Sequence, residues 1–456
     1  MWRSPRSQDR VRAVPRGATL RAWPRLDRAP NPGGSISGQV SRSATAVLVA
    51  AAVLLGAVLL FSVPASVFAS TAAAASQTTG KQVTPAFPFG EPHPQAITAA
   101  AAFLIDTESG RVLYSRNANL RLPMASITKI MTAVIVLESL KLDAEVQASS
   151  NATGTLGSGI ALQKGEVLTV EQLLYALLVS SANDAAIALA EATAGSVGSF
   201  VETMNDKAET LGLTNTHFVN PNGLNAEGHY SSARDLATLA GYAMKDPVFR
   251  SIVRTGTYSL PWPGHDTPRK LESQNLLLGK YAWVTGIKTG STPYARYCLV
   301  SSGTRDGVSL MNVLLGAEND DLRWSETEAL MSYGFSLYPR TVLIDKGEFV
   351  TELGVPDPLG RSIRLVADRS LTVSLYKSDK VSSIVTVDRD AVLPVRAGDV
   401  FGTIEFVLNG ESIGAARLIS AQAVDVPTIR MIVTHLHEMW PPELGLSEYL
   451  RTRPPV

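Results

Sequence analysis

One apolar helix near the first third of the chain constrains the fold most. Its apolar residues recur at helical spacing: Ile130, Val134, Leu137 and Leu140. Since the helix is hydrophobic on most of its sides, we expect it at the centre of a layered domain. Ser126 and Lys129 stand at its start, three positions apart, so the hydroxyl and the amine can meet on one face. The pattern fits a nucleophile beside its base, or a helix cap followed by a solvated lysine.

The elements around this helix predict an α+β domain over residues 97–338. A β-hairpin is expected first, from residues 97–106 and 111–115 around the turn Thr107-Glu-Ser-Gly110. Further helical patterns cover residues 169–179, 184–193, 199–211 and a segment starting at the cap-like Ser232-Ala-Arg-Asp235. Strand patterns follow at residues 283–288, 296–302 and 308–315, and a last helix is expected over 321–335. The D-G hairpin signal Arg305-Asp-Gly307 separates the last two strands.

Beyond residue 338 the sequence consists of short runs in which apolar and polar residues alternate. This pattern predicts a small β-rich domain over 339–428. The strand-like runs are residues 371–376, 383–387, 402–407 and 415–419. Turn signals such as Asn409-Gly410 separate them. Residues 429–456 form a short helix-like segment and a proline-containing tail, too short and too polar to span a membrane.

The N-terminal part predicts export from the cytoplasm. Residues 1–43 are rich in arginine and proline and are expected to form a disordered cytoplasmic tail. Residues 44–63 form an apolar run without charges, long enough for one transmembrane helix, and the arginines before it place the rest of the chain outside. Val67-Phe68-Ala69 is a cleavage-site pattern, so 44–69 is either a signal peptide or a signal anchor. Residues 70–96 are expected to be a flexible linker.

Composition excludes several function classes. Lysine plus arginine (41) equals aspartate plus glutamate (41), which argues against a nucleic-acid partner. Cys298 is the only cysteine, so no intrachain disulfide is possible, and its apolar neighbours predict a buried, unreactive thiol. The histidines lack zinc-ligand spacing and no phosphate-binding loop occurs, so neither a metal nor a cofactor is expected. His229 is expected to order a loop near the site rather than to act in catalysis.

Two further motifs follow Ser126-Ile-Thr-Lys129. The first is Ser181-Ala182-Asn183, which by itself fits an Asn or Asp that caps the next helix. The second is Lys288-Thr289-Gly290, which by itself fits a polar turn leaving a sheet. Together, in this order and in an exported chain, the three motifs are the signature of penicillin-binding proteins and class A β-lactamases.

The sequence resembles the low-molecular-mass penicillin-binding proteins that act as serine-type D-alanyl-D-alanine carboxypeptidases. The resemblance runs from about residue 97 to 419 and includes the text around the motifs, at residues 173–184, 220–224 and 228–236. It implies a β-lactamase/transpeptidase-like domain, with a five-stranded antiparallel sheet flanked by helices, followed by a small β-rich domain. The implied partners are the peptidoglycan stem peptide as substrate and β-lactam antibiotics as covalent inhibitors, with membrane contact through the N-terminal apolar segment.

The resemblance also implies catalytic roles. Ser126 attacks the carbonyl between two D-alanines, and Lys129, as a neutral amine, takes the serine proton. Burial and a nearby positive charge, which Lys288 can supply, would keep that amine neutral. Ser181 helps relay the proton to the leaving D-alanine. Asn183 hydrogen-bonds Lys129 and the substrate backbone.

The resemblance also implies substrate-binding roles for the third motif. Lys288 and Thr289 hold the terminal carboxylate of the substrate. Gly290 lets the strand approach the substrate closely. The backbone N–H groups of Ser126 and Ser291 form the implied oxyanion hole.

Two residues depart from related patterns. Ala182 stands where β-lactamases have aspartate, which fits the carboxypeptidase subset. Arg296 stands where many family members have glycine. The alternatives to a carboxypeptidase are a β-lactamase or D,D-endopeptidase of the same fold, or a catalytically silent scaffold that binds cell wall. The intact nucleophile, both lysines and Asn183 argue against a silent scaffold.

Overall fold

The structure, a computed structural model, describes residues 78–79, 81–85, 94–388 and 391–439. The tail predicted over 1–43, the apolar segment predicted over 44–69 and the end of the C-terminal tail lie outside these residues. Within the described ranges, no helix is both long and apolar enough to cross a membrane.

The helices, in chain order, are α1 (Lys129–Ser139), α2 (Ser150–Thr153), α3 (Val170–Leu178), α4 (Asn183–Ala194), α5 (Val197–Thr210), α6 (Ala233–Ala243), α7 (Pro247–Val253), α8 (Asp320–Ser336) and α9 (Ile429–Met439). A 3₁₀ turn over Ala125–Thr128 directly precedes α1.

The strands are β1 (Thr78–Thr79), β2 (Ala101–Asp106), β3 (Val112–Arg116), β4 (Glu145–Gln147), β5 (Val167–Thr169), β6 (Thr257–Leu260), β7 (Arg269–Glu272), β8 (Val284–Thr292), β9 (Arg296–Arg305), β10 (Val308–Ala317), β11 (Arg340–Ile344), β12 (Phe349–Gly354), β13 (Ser362–Ala367), β14 (Leu371–Ser374), β15 (Ser382–Val387), β16 (Val400–Leu408) and β17 (Glu411–Ser420).

A five-stranded antiparallel sheet in the order β3-β2-β10-β9-β8 organises the larger domain. Strand side chains alternate between the two faces of a sheet. On β2, Ala101 and Phe103 join the core formed with α1, α3, α4 and α6, whereas Ala102 and Leu104 pack with Leu330 and Met331 of α8. Helices therefore cover both faces, and the predicted α+β fold class is confirmed.

Helix α1 lies at the centre of the helical layer, as its apolar residues predict. Every residue from Lys129 to Val136 is buried. The helix packs against α3, α4, α5 and α6. Thr169 and Ser232 cap α3 and α6 through their hydroxyls, so the helix starts predicted at these positions are confirmed. The central position of α1 fixes the depth at which its first residues lie in the domain.

The turn signals also formed as predicted. Asp306 and Gly307 both have positive φ and join β9 to β10, and Asn409 and Gly410 do the same between β16 and β17. Two consecutive left-handed residues make the turn whose twist matches antiparallel strands.

The smaller domain is built on a six-stranded sheet in the order β1-β15-β16-β17-β13-β12, with β11 and β14 as a separate pair. Its core contains Leu365, Phe406 and Leu418. The strands within residues 371–419 match the predicted runs, whereas β11, β12 and β13 were not predicted. Burial nevertheless alternates along β11 and β13, and only β12 lacks a regular pattern.

Residues 78–79 and 81–85 depart from the flexible linker that we expected over 70–96. Strand β1 pairs antiparallel with β15 at the edge of the smaller domain's sheet. Val83 forms a bridge with Val381, is buried and joins that domain's core. An edge strand offers unpaired backbone groups to any nearby segment, and this recruitment was not visible in the polar composition of 70–96.

Polar and aromatic contacts join the two domains. Tyr338, at the boundary between the two domains, donates a hydrogen bond of 2.6 Å from its hydroxyl to Asp106 in the larger domain. Arg111 pairs with Asp379 at 3.2 Å, and its guanidinium lies 3.9 Å from the ring centroid of Tyr376. The hairpin β2–β3 is thereby tied to the start of the smaller domain.

The Tyr338 hydrogen bond provides a test of this junction. Tyr338→Phe is expected to lower the free energy of unfolding by about 1.5 kcal/mol, at the low end for a bond to a charged group, because Asp106 keeps its bond from Ser109. Denaturant titration measures this change. Tyr294→Phe, at an exposed tyrosine, is the control and should be neutral. An equal effect of both changes would contradict the assignment.

Candidate active site

The Ser126 hydroxyl and the Lys129 amine face each other because of the 3₁₀ turn. The α-helical first turn expected here is wrong in detail, since α1 begins only at Lys129. Side chains at i and i+3 eclipse in a 3₁₀ turn. This geometry brings Ser126 Oγ to 2.8 Å from Lys129 Nζ. Ala125, the residue before Ser126, has a φ of 50°, which turns the chain sharply into the helix.

The Lys129 amine is fully buried and has three hydrogen-bond partners. Besides Ser126 Oγ, these are Asn183 Oδ1 at 2.7 Å and the backbone carbonyl oxygen of Asn222 at 2.6 Å. The two carbonyl oxygens can only accept. A neutral amine that donates its two hydrogens to them keeps its lone pair for the Ser126 hydroxyl. The helix cap with a solvated lysine is therefore wrong for this motif.

Burial and charge both favour the neutral form of the Lys129 amine. Burial lowers the pKa of Lys129 well below its usual value, and the nearby positive charge of Lys288 lowers this pKa further. The carboxylate of Asp184 acts in the opposite direction. Desolvation contributes most to favouring the neutral base, and the charge of Lys288 contributes second.

The second motif lies between α3 and α4 and brings Ser181 to Lys288. Lys288 Nζ donates to Ser181 Oγ at 2.9 Å and to the Thr289 carbonyl at 3.0 Å. Ser181 is buried and has a φ of 63°, a rare conformation for a non-glycine residue. Burial lowers the pKa of Lys288 to about 7, and the charge of Arg323 adds to this shift.

Asn183 does not cap the helix that it starts. Ala182 occupies the cap position without a side-chain bond, so the capping interpretation of this motif is wrong. The Asn183 amide nitrogen instead donates to the Leu156 carbonyl at 2.7 Å, which turns the amide oxygen toward Lys129. Asp184 accepts hydrogen bonds from the backbone nitrogens of Ile160 and Leu162.

The third motif lies within strand β8, so the polar turn leaving the sheet is wrong. Lys288, Thr289 and Gly290 pair with Val300, Leu299 and Cys298 of β9. Lys288 and Thr289 are buried, while Ser291 is exposed at the mouth of the site. Thr289 Oγ1 lies 3.3 Å from Gln274 Oε1.

Gly290 permits a close approach to the nucleophile turn. A Cβ at this position would lie 2.9 Å from the Met124 carbonyl oxygen and 3.1 Å from the Ser126 backbone nitrogen. The glycine is therefore needed between β8 and the turn, where we expected it to face the substrate. This contact brings the backbone of Ser126 beside the strand that carries Ser291.

Arg296 stands at a position where the resemblance predicts glycine. It has a φ of 54° where the chain enters β9. Glycine adopts this left-handed conformation without steric cost, so the backbone here suits the glycine that the resemblance predicts. The strands β8 and β9 nevertheless stay in register through the motif.

The sequence analysis missed several residues of the site. Asn222, Leu156 and Gln274 contact the motif side chains through oxygen atoms, and Arg323 contributes charge from α8. A backbone carbonyl has no sequence signature. The closely spaced glycines of residues 154–159 were a usable signal, because a Cβ on Gly157 would lie 2.8 Å from the Asn183 amide nitrogen. Among the described residues, no cluster of three or more metal-ligating side chains is present.

Gly290→Ala tests the contact between β8 and the nucleophile turn. The added methyl group meets backbone atoms on the turn, so we expect the reaction of Ser126 with fluorescent penicillin to slow by about 100-fold, as for a misplacement near 1 Å. The control is Gly241→Ala in α6, where a Cβ meets nothing within 4 Å. A normal labelling rate for Gly290→Ala would contradict this interpretation.

Comparison with known proteins agrees with both domains. Residues 89–319 match the D-alanyl-D-alanine carboxypeptidase family model, and residues 338–426 match the C-terminal domain of penicillin-binding protein 5. The D-alanyl-D-alanine carboxypeptidase DacF of Bacillus subtilis (strain 168) is 35% identical over 324 residues, covering 69% of this chain and 82% of the relative. DacC of Escherichia coli (strain K12) is 34% identical over 346 residues, covering 72% and 85%.

Solved structures show the same architecture. The crystal structure of the Streptomyces K15 DD-transpeptidase is 36% identical with a TM-score of 0.51, covering 54% of this chain and 100% of that one. The structure of the D-alanyl-D-alanine carboxypeptidase DacD from Francisella tularensis is 23% identical with a TM-score of 0.53, covering 75% and 97%, and supports the fold alone. The chain belongs to the D-alanyl-D-alanine carboxypeptidase family.

Proposed function

We propose that this serine peptidase removes the terminal D-alanine from peptidoglycan pentapeptides through an acyl-enzyme on Ser126. The observation that carries the proposal is the buried Lys129 amine. Lys129 Nζ lies 2.7 and 2.6 Å from two carbonyl oxygens that can only accept and 2.8 Å from Ser126 Oγ, so a neutral amine donates its two hydrogens to the carbonyls and keeps its lone pair for the Ser126 hydroxyl. A serine in this position loses its proton to the amine as it attacks.

In acylation, Ser126 Oγ attacks the carbonyl carbon between the two D-alanines while its proton moves to Lys129. The carbonyl oxygen becomes negative and is stabilised by the backbone N–H groups of Ser126 and Ser291. Such a donor contributes about 3–4 kcal/mol in comparable sites. The closeness of β8 to the nucleophile turn, through Gly290, supports this pair of donors.

The C–N bond then breaks, and the proton that Lys129 took from Ser126 is relayed through Ser181 to the leaving amine of D-alanine. Lys288 Nζ donates to Ser181 Oγ at 2.9 Å, so the Ser181 hydroxyl keeps its own hydrogen for this transfer, which supports the relay. Lys288 and Thr289 hold the carboxylate of the leaving D-alanine, and Asn183 contacts the substrate backbone. Water afterwards attacks the ester on Ser126, which releases the shortened peptide and returns the proton to the serine.

The family acts on cell-wall peptides and binds penicillins, and its members work outside the cytoplasm. We propose the same location here, with export directed by residues 44–69, and β-lactams as covalent inhibitors that acylate Ser126. The domain limits 97–338 and 339–428 stay predictions, as does anchoring through the N-terminal apolar segment. Mass measurement of the mature N-terminus separates cleavage after Ala69 from a retained anchor.

The acyl-enzyme predicts how variants react with penicillin. Ser126→Ala should not be labelled by fluorescent penicillin, because the acylated atom is absent. Lys129→Arg should lose about three orders of magnitude in labelling rate, because a guanidinium stays protonated and cannot take the serine proton. The exposed Lys346→Gln, in the smaller domain, is the control and should label normally. Normal labelling of Lys129→Arg would show that the base is wrongly assigned.

Product analysis separates the proposed activity from its alternatives. Release of D-alanine from a pentapeptide, together with slow hydrolysis of the penicillin adduct, is expected of a carboxypeptidase. Rapid turnover of the β-lactam would instead indicate a lactamase, and cleavage of cross-linked peptides an endopeptidase. Since relatives include a protein called a DD-transpeptidase, the assay includes an amine acceptor, whose incorporation would reveal transfer.

The charge of Lys288 predicts a shift in the pH dependence of acylation. Acylation needs neutral Lys129 and therefore falls as the pH drops through the pKa of Lys129. The positive charge of Lys288 lowers that pKa, so Lys288→Gln raises it and moves the acid limb to higher pH. The residual rate of penicillin acylation across pH measures the shift. An unchanged limb, or one at lower pH, would contradict the electrostatic role of Lys288.

A further inference from the structure

The segment of residues 219–229 is fastened to the nucleophile turn and to α1. Thr132 donates from its hydroxyl to the Pro221 carbonyl at 2.6 Å, one helical turn beyond the bond from Lys129 to Asn222. Gly223 packs directly on the turn, since a Cβ there would lie 2.0 Å from the Ala125 carbonyl oxygen. This segment, which we call the clasp loop, therefore touches the residues on both sides of Ser126.

His229 closes the clasp loop from within the protein. Its side chain is buried, and its Nδ1 accepts a hydrogen bond of 3.0 Å from the backbone N–H of Val219, at the start of the loop. Its Nε2 lies 2.8 Å from Thr128 Oγ1. The Thr128 hydroxyl in turn donates to the Ala125 carbonyl at 2.8 Å.

Two independent constraints fix the same tautomer of His229. Because Val219 can only donate to Nδ1, the ring hydrogen must be on Nε2. Because the Thr128 hydroxyl donates its only hydrogen to the Ala125 carbonyl, its oxygen must accept the hydrogen bond from His229 Nε2. Burial lowers the pKa of His229 to about 4, with a smaller contribution from His217. The ring is thus neutral at working pH and serves as a fixed donor.

The chain of bonds ends on the peptide plane that contains the Ser126 N–H. A peptide unit is planar, and in its trans form the carbonyl and the N–H point in opposite directions. Holding the Ala125 oxygen therefore sets the direction of the Ser126 N–H. This hydrogen bond helps to hold a strained backbone, because Ala125 has a φ of 50°, a conformation that alanine does not favour.

We infer that His229 is a positioning residue that acts through Thr128 to aim the Ser126 N–H at the developing oxyanion. The inference deepens the proposed function and rests on it. His229 touches neither the Ser126 hydroxyl nor Lys129, so its effect is on the stability of the transition state rather than on proton transfer. Removing it affects the acylation rate constant more than the initial binding of penicillin.

The test compares His229→Ala and His229→Gln in the full chain, by stopped-flow acylation with a fluorescent penicillin. His229→Ala is expected to lower the acylation rate constant by about 100-fold, the loss seen when an oxyanion donor is removed. The dissociation constant of the non-covalent complex should change by less than about threefold. His229→Gln should recover most of the rate, because its amide can accept from Val219 and donate to Thr128.

His217→Ala is the matched control, since His217 is an exposed histidine that binds the Gly228 carbonyl of the same loop. It should acylate at the wild-type rate. Thr128→Val removes the hydroxyl with little change in volume. The double variant should lose little more acylation rate than either single variant, because both changes break the same chain of hydrogen bonds from His229 through Thr128 to Ala125. Thr128→Val also provides the answer if His229→Ala does not fold.

Three results would overturn the inference while leaving the proposed function intact. They are a wild-type acylation rate in folded His229→Ala, an equal loss in His217→Ala, or independent, multiplicative effects of the His229 and Thr128 changes. Wild-type protein that forms no adduct on Ser126 would refute the proposed function itself. The two failures are therefore distinguished in the same experiment.

Discussion

The burial of the Lys129 amine is the constraint on which the rest of the site depends. An ammonium ion or amine taken out of water must find hydrogen-bond partners, or the cost is several kcal/mol. The partners come from three separate segments: the 3₁₀ turn before α1, the start of α4 and the clasp loop. Satisfying one nitrogen thus fixes the relative positions of all three. The same burial lowers the pKa of Lys129, so one physical cause provides both the architecture and the base.

Two further cationic side chains, Lys288 on β8 and Arg323 on α8, act on this amine in series. The charge of Arg323 lowers the pKa of Lys288, and the charge of Lys288 lowers the pKa of Lys129. The charge of Arg323 is paired with Asp320, and the proposed substrate carboxylate would compensate the charge of Lys288. The arrangement suits a D-alanyl-D-alanine carboxypeptidase, whose substrate ends in a carboxylate beside the bond that is cut. Binding and activation of the nucleophile are therefore electrostatically coupled.

Sequence reasoning succeeded where a pattern is local. The hairpin signals at Asp306-Gly307 and Asn409-Gly410, the helix starts at Thr169 and Ser232 and the central helix α1 all formed as predicted. It failed where pairing partners are distant in sequence. Strand β1 formed from the expected linker because the edge of β15 was available. The alternative interpretations of the second and third motifs failed for the same reason, since only neighbouring segments decide what a side chain contacts.

The sequence by itself determined the fold class, the two-domain order and the identity of the three motifs, because periodicity, turn chemistry and motif spacing are written along the chain. Only the tertiary structure decided what the motif residues do to one another. Whether Lys129 is neutral depends on its depth in the domain and on Lys288, more than 150 residues away in the chain. The Asn222 carbonyl, the orientation of the Asn183 amide and the path from His229 to Ser126 are likewise set by packing. Backbone atoms and the directions of hydrogen bonds leave no signature in a residue pattern.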